Sequence, residues 1–247
     1  MTSLRDAYSV WWADLRIMRR LWPQFLLTSV LSPVLYLIAF GYGLGRGITI
    51  GGVGYLEFVI PGIIGLTAMN VSFGAAGMKL NVDRLYYHSF DEMLMSPIRP
   101  SSLVLGKSMI GVARGLIVCL LFIALGVTVS SIRVTPLFLL SLLVSCGMFA
   151  LMGVLCAMYA KSHQDMSTFS TLILTPMSFI GGTFFAVDQV PKWVEAVMYM
   201  LPLTHTSLCL RAEALHERFP WPSFAVIVVL TVLMFTLCVR AVRRSSA

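Results

Sequence analysis

The chain has 247 residues, 58% of them hydrophobic and only 12% charged, with a mean hydropathy of +0.86. Soluble domains carry about 25% charged residues, so this composition excludes an ordinary soluble globule and predicts an integral membrane protein with no room for a separate soluble domain. The net charge of +7 points to nucleic acid only where the basic residues cluster, and here they are spread between apolar runs.

Residues 3–21 come first. Leu4, Tyr8, Trp11, Leu15 and Met18 fall at helical spacing on one face, and Arg5, Asp6, Ser9, Arg16, Arg19 and Arg20 lie mostly elsewhere. This is the pattern of an amphipathic helix lying in a membrane interface, with Trp11, Trp12, Arg19 and Arg20 as its anchors. A solvated lead-in is the other reading. A secretory signal does not fit, because the first apolar run is long enough to span and starts only after Arg20.

A spanning helix needs about 20 apolar residues. Six stretches qualify: within Leu21–Gly45, within Phe58–Met78, Leu103–Val129, within Val134–Ala160, within Met166–Val187 and within Trp221–Val239. The expected fold is therefore all-α, with six transmembrane helices. Gly111 and Gly115 form a GxxxG in the third stretch, a pattern that permits close helix packing.

The connections differ in kind. Gly45–Glu57 is Gly-rich, and Ser130–Pro136 and Lys161–Asp165 are tight. Residues 81–100 form a polar island that carries Asp83, Arg84, Asp91, Glu92 and Arg99 around an apolar set, Phe90, Met93 and Leu94. Residues 188–220 are too apolar for an ordinary loop, yet each piece is too short to span. Val194, Val197, Met198 and Leu201 form a stripe after Pro191, and Leu203, Leu208 and Leu210 follow Pro202. Two short helices broken at Pro202 are expected, either re-entrant into the outer leaflet or flat on its surface.

Lys and Arg set the orientation. With the N-terminus in the cytoplasm, the inside holds Arg5, Arg16, Arg19, Arg20, Lys79, Arg84, Arg99, Lys107, Lys161, Arg240, Arg243 and Arg244. The outside holds only Arg46, Arg133, Lys192, Arg211 and Arg218. Both termini and the polar island are expected to be cytoplasmic, and no nucleic-acid partner is expected. Two charges come up within the spans. Glu57 reads as an interfacial carboxylate. Arg114 either snorkels or pairs with an acid such as Asp165.

Signals of catalysis are missing. Gly106-Lys107-Ser108 resembles the end of a phosphate-binding loop, but the first glycine of that motif is replaced by Ser101, and no strand precedes it. The four histidines show no metal spacing, the five cysteines form no CxxC, and there is no GxSxG elbow. The chain is expected to hold no cofactor or metal and to hydrolyse no ATP itself.

Four segments carry a resemblance. Phe40-Gly41-Tyr42-Gly43-Leu44-Gly45 closes the first span, and Phe58-Val59-Ile60-Pro61-Gly62 opens the second. Asp91-Glu92-Met93-Leu94-Met95-Ser96-Pro97 precedes Leu105-Gly106-Lys107. Residues 179–191 are followed by Leu201-Pro202-Leu203-Thr204-His205 and Arg211. Together they resemble the permease subunits of ABC-2 type exporters, which include nodulation lipo-oligosaccharide, polysaccharide and antibiotic exporters. The resemblance implies a homodimer of six-helix subunits in a bacterial-type inner membrane, with two copies of a separate ABC ATPase subunit that binds ATP and Mg. It implies a coupling helix near residues 88–95, with Phe90, Asp91, Glu92, Met93 and Leu94 docking in the ATPase. A surface loop of ordinary composition is the alternative. It also implies a conduit for an amphipathic or lipid-linked substrate along spans one, two and five, for which Tyr36, Phe40, Tyr42, Asn70, Met177, Phe184 and Phe185 are candidate lining residues. Ordinary packing against lipid or another helix accounts for each of these equally well. Two other functions make different demands on the sequence. A self-powered secondary transporter expects internal repeats and midplane acids, and a lipid-modifying enzyme expects an interfacial carboxylate or histidine cluster.

Overall fold

A computed structural model describes residues 2–20, 22–44, 47, 49–50, 52–130 and 132–245, with side chains described except at 2–4, 17–20, 41–42 and 44. The side chains of Arg19, Arg20 and Tyr42 therefore lie outside the described residues. In chain order come α1 (Thr2–Arg20), α2 (Trp22–Tyr36), a π-helical continuation (Leu37–Leu44), and a two-residue hairpin of β1 (Thr49–Ile50) and β2 (Val53–Gly54). Then follow α3 (Tyr55–Leu85), α4 (Ser89–Met95), α5 (Pro100–Val129), α6 (Pro136–Tyr159) and α7 (His163–Phe169). A π turn (Ser170–Leu174) joins α7 to α8 (Thr175–Ile180), and α9 (Lys192–Met200), α10 (Pro202–Ala214) and α11 (Trp221–Ser245) complete the fold.

Among the described residues, five helical stretches are long and apolar enough to cross a membrane: Trp22–Phe40, α3, α5, α6 and α11. The expected span within Met166–Val187 takes another form. It starts earlier, at His163, is interrupted by the π turn, and stops at Ile180. The stop has a local cause: Gly182 adopts φ +72°, a left-handed conformation that ends a helix. The second span is longer than its apolar core, because α3 continues to Leu85 and takes Asn81, Asp83 and Arg84 out of the polar connection.

The core sits around α3. Its most apolar window is 83% buried, with α5, α6 and α10 packed against it. Small residues permit this approach. A Cβ added at Gly111 of α5 would lie 2.6 Å from the Ser72 carbonyl oxygen of α3 and 2.9 Å from Ala150 Cβ of α6. α6 begins with a capped turn: Thr135 Oγ1 accepts from the Phe138 N–H at 3.0 Å, and Pro136 occupies the first helical position. Thr135 also donates to Glu213 of α10.

α10 is buried along most of its length and packs against α3, α6 and α11. Arg211 secures it. Its guanidinium donates to the Gly182 carbonyl at 2.8 Å and the Phe58 carbonyl at 3.2 Å, and lies 3.6 Å from the Phe58 ring centroid. A second clasp holds the same loop, because the Tyr55 hydroxyl donates to the Phe184 carbonyl at 3.0 Å. The break between α9 and α10 falls at Leu201, just before Pro202, as the sequence predicts.

Two substitutions test this packing in detergent-purified protein. Gly111→Ala, which forces carbon into a closed contact, is expected to destabilise by about 1–3 kcal/mol and lower the thermal midpoint. Gly147→Ala, whose Cβ would meet nothing within 4 Å, leaves the midpoint unchanged. Phe90 is 1% exposed and belongs to the main core cluster, so Phe90→Ala is expected to cost about 3–5 kcal/mol. Met95→Ala on the same short helix, 88% exposed, is expected to stay within about 0.5 kcal/mol of the parent.

Candidate functional site

The candidate site begins where α3 and α5 end around α4. The hairpin lies at the opposite end of α3. Asn81 Oδ1 lies 2.9 Å from His163 Nδ1, which ties α3 to α7. Arg84 donates to the Ala157 carbonyl, and at 3.4 Å to the Ala160 carbonyl, both at the C-terminal end of α6. A cation there satisfies carbonyls that the helix leaves unpaired. α4 therefore hangs from braced helices.

α4 presents one face inward and one outward. Phe90 is buried in the core, with Met93 and Leu94 packed against it. Asp91, Glu92 and Met95 are exposed, as are Tyr86 and Tyr87 in the connection before it. Phe90, at the centre of the expected docking segment, packs into its own bundle. Phe90 and Leu94, four residues apart, lie on the face by which α4 attaches to the bundle.

Beside α4 lies a buried charge cluster. Lys107 of α5 and Asp14 of α1 are 2% and 4% exposed. Lys107 Nζ donates to Asp83 Oδ2 of α3 at 2.6 Å and to the Asp14 carboxylate at 3.1 and 3.3 Å. Lys79 pairs with Asp83 one turn along α3 and approaches Asp14 at 3.6 Å. The two carboxylates and two ammonium groups balance, which a buried set of charges requires. Next to Lys107, Gly106 provides the room. A Cβ there would lie 2.7 Å from Val10 Cβ and 2.9 Å from the Ala7 carbonyl oxygen, so α1 rests directly on the α5 backbone. The face of α1 that docks is Ala7, Val10 and Asp14, and Tyr8 and Trp12 on the other side are exposed and stacked at 6.0 Å.

Three adjoining cavities run up from this cluster. One of about 570 Å³ is lined by Asp14, Met78, Lys79, Asp83, Tyr87, Lys107 and Arg114, among others. It shares Gly74, Ala75 and Arg114 with a second of about 480 Å³, lined by Phe25, Thr28, Ser29, Ser32, Tyr36, Thr67 and Asn70. A third, about 310 Å³, shares Tyr36 and Asn70 and adds Ser170, Thr171, Leu174, Thr175, Ser178 and Phe179. Together they form a groove along α3, bounded by α1, α4 and α5 at the charged end and by α2 and the α7–α8 run beyond it. Hydroxyls and one amide stand among the lining of the second and third cavities, and the first is lined by charged and apolar side chains. Asn70 stands at the middle of α3 and is exposed.

Of the expected lining residues, Tyr36 and Asn70 face the groove. Phe40 and Phe184 stack at 4.2 Å and pack beside Tyr36. Phe185 is half-buried in the loop after α8. Met177 is 4% exposed and belongs to the core. It turns inward because its neighbours Pro176 and Ser178 take the outward positions on α8. Arg114 lies 4.6 Å from the Phe25 ring centroid and lines the same cavity as Asp14. The suggested partner Asp165 instead accepts from the Lys161 N–H at 2.9 Å. The charge cluster and the hydroxyls of α2 were missed in the sequence. The available signal was an acid, Asp14, seven residues after Ala7 on the small-residue face of an otherwise aromatic and basic helix. Among the described residues, no group of three or more His, Cys, Asp or Glu comes together as a metal site.

Comparison with known proteins agrees with this architecture. The model of the ABC-2 type transporter family matches residues 5–215. The chain is 27% identical over 246 residues to the Inner membrane transport permease YadH of Escherichia coli K12, covering 96% of this chain and 94% of the relative. It is 25% identical over 228 residues to Nodulation protein J of Neorhizobium galegae, covering 89% and 85%. It is 28% identical over 219 residues to Nodulation protein J of Rhizobium leguminosarum bv. viciae, covering 79% and 78%. A mainly helical bundle with five stretches of membrane length among the described residues, matched over most of its length by one family model, identifies this chain as a member of the ABC-2 type transporter family, a membrane transport permease.

Proposed function

We propose that this chain is the membrane subunit of an ATP-driven exporter, powered by ATPase subunits on separate chains that bind the ATP and Mg. The observation that carries this reading is α4. It is a short helix fixed to the bundle by Phe90 and packed against α3, with Asp91, Glu92 and Met95 left outward. A rigid, externally presented helix suits a partner groove with basic edges and an apolar floor. ATP-driven closure of the partner pair would move α4 and the helices rooted beside it as rigid bodies.

The α7–α8 run serves as the fifth of six spans, with α1 at the membrane interface, α9 and α10 as the outer re-entrant pair, and both termini in the cytoplasm. The Lys and Arg bias supports that orientation, and similarity to the inner membrane permease of Escherichia coli supports an inner membrane. A second copy covers the groove. The Trp22–Phe40 stretch is only 11% buried, and Leu27, Leu31 and Leu35 of α2 are exposed beside the groove's hydroxyls. An amide at mid-membrane depth is costly against lipid, so Asn70 fits a polar conduit closed by the two copies. The cargo is an amphipathic or lipid-linked molecule.

Two experiments test this reading. The chain co-expressed with a candidate ABC ATPase is expected to co-purify with it, and Glu92→Lys combined with Met95→Asp is expected to abolish co-purification without loss of membrane insertion. Transport by the purified chain alone would overturn the ATP-driven reading. Within the groove, Gly74 has no neighbour within 4 Å of an added Cβ. Gly74→Trp is therefore expected to block transport in proteoliposomes while ATP hydrolysis continues, and unimpaired transport would exclude the groove as the conduit.

A further inference from the structure

The charge cluster links elements in a particular order. Asp83 sits near the end of α3, five residues before His88 and the start of α4. Lys107 sits two turns into α5, which follows α4 after the short Ser96–Arg99 link. The two helices that bracket α4 therefore carry Asp83 and Lys107, and Asp14 of α1 meets both their clusters. α1 is followed by α2, whose residues Phe25, Thr28, Ser29 and Ser32 form one wall of the groove. The same four charges also line the cavity at the groove's lower end.

We propose that Asp14, Lys79, Asp83 and Lys107 form a charge lock that binds α1 to the two helices flanking α4, so that displacement of α4 is carried through α1 to the α2 wall of the groove. This rests on α4 receiving force from a separate ATPase. The chemistry favours a lock over a simple weld. Ion pairs bury at a high desolvation cost and hold only while each charge keeps its partner. Lys79 is 23% exposed, bonds to Asp83 and lies 3.6 Å from Asp14, so it can close on Asp14 as the helices shift without leaving a bare charge. An apolar contact would fix α1 with no such exchange of partners. Gly106 is the steric half of the device, because its missing side chain sets the distance at which Asp14 reaches Lys107.

The test has one arm without the ATPase and one with it. Ala7 is 4% exposed beneath the α1–α5 contact. An Ala7→Cys chain, its labelling by a maleimide read as the increment over the parent, is expected to react slowly. Adding Asp14→Asn or Gly106→Leu is expected to raise the rate about a hundredfold, the scale on which an unpaired buried charge or a wedge opens a local contact. Gly106→Leu keeps all four charges, so it reports on docking even where Asp14→Asn folds poorly. Protection retained in both variants would overturn the lock. In the second arm, the chain is assembled with its ATPase in proteoliposomes and carries a fluorophore at Ser29→Cys or at Tyr86→Cys. Nucleotide is expected to change both signals in the parent. With Asp14→Asn the Tyr86 signal is expected to remain and the Ser29 signal to disappear. A full Ser29 response in that variant would refute transmission through α1. Silence at both positions in the parent contradicts the ATP-driven reading and the transmission that rests on it, while the labelling arm still decides whether the lock holds α1.

Discussion

α3 must satisfy neighbours on nearly every side. It is 31 residues long, its most apolar window is 83% buried, and it packs against α5, α6 and α10. A helix apolar all round belongs inside a bundle, and in a membrane no hydrophobic effect drives helices together, so contact must come from close van der Waals fit. Gly62, Gly65, Ala68, Ser72, Ala76 and Gly77 supply that fit. What α3 leaves open is a narrow strip through Asn70, Gly74 and Met78, at i, i+4 spacing. The groove forms along that strip.

The two ends of α3 are built from different chemistry. At the hairpin end, Tyr55 and Arg211 donate to the carbonyls of Phe184, Gly182 and Phe58, so a single buried cation and a phenol organise backbone that has left the helix. Irregular backbone at membrane depth is tolerated only when protein satisfies it in this way. At the α4 end, charges pair with charges across three helices. The first arrangement is fixed by hydrogen-bond direction. The second permits exchange of partners. A bundle that is static at one end and adjustable at the other suits a transporter whose motion begins at one end.

Much of this was legible in the sequence, because long apolar runs and prolines leave strong local signals. The spans α3, α5, α6 and α11 follow from hydropathy, α4 from the polar island around Phe90, and the α9–α10 break from Pro202. The GxxxG at Gly111 and Gly115 marks a real contact with Ser72. Other features were not local. Phe90 and Leu94 show an apolar face, but sequence does not say whether that face meets its own bundle or a partner. Met177 looks the same whether it lines a groove or fills a core. The early end of the α7–α8 run depends on one glycine, Gly182, adopting a left-handed conformation. Asp14 and Lys107 are 93 residues apart, and only the approach of α1 over Gly106 makes them partners.

Under the proposed function, a separate ATPase takes hold of the chain at α4. Hydrogen–deuterium exchange on the chain with and without its ATPase tests it most directly. Binding is predicted to protect the amides of Ser89–Met95 and the adjoining Tyr86 and Tyr87, with no added protection at the hairpin end. Unchanged exchange across α4 in a complex that is otherwise protected elsewhere would contradict the account.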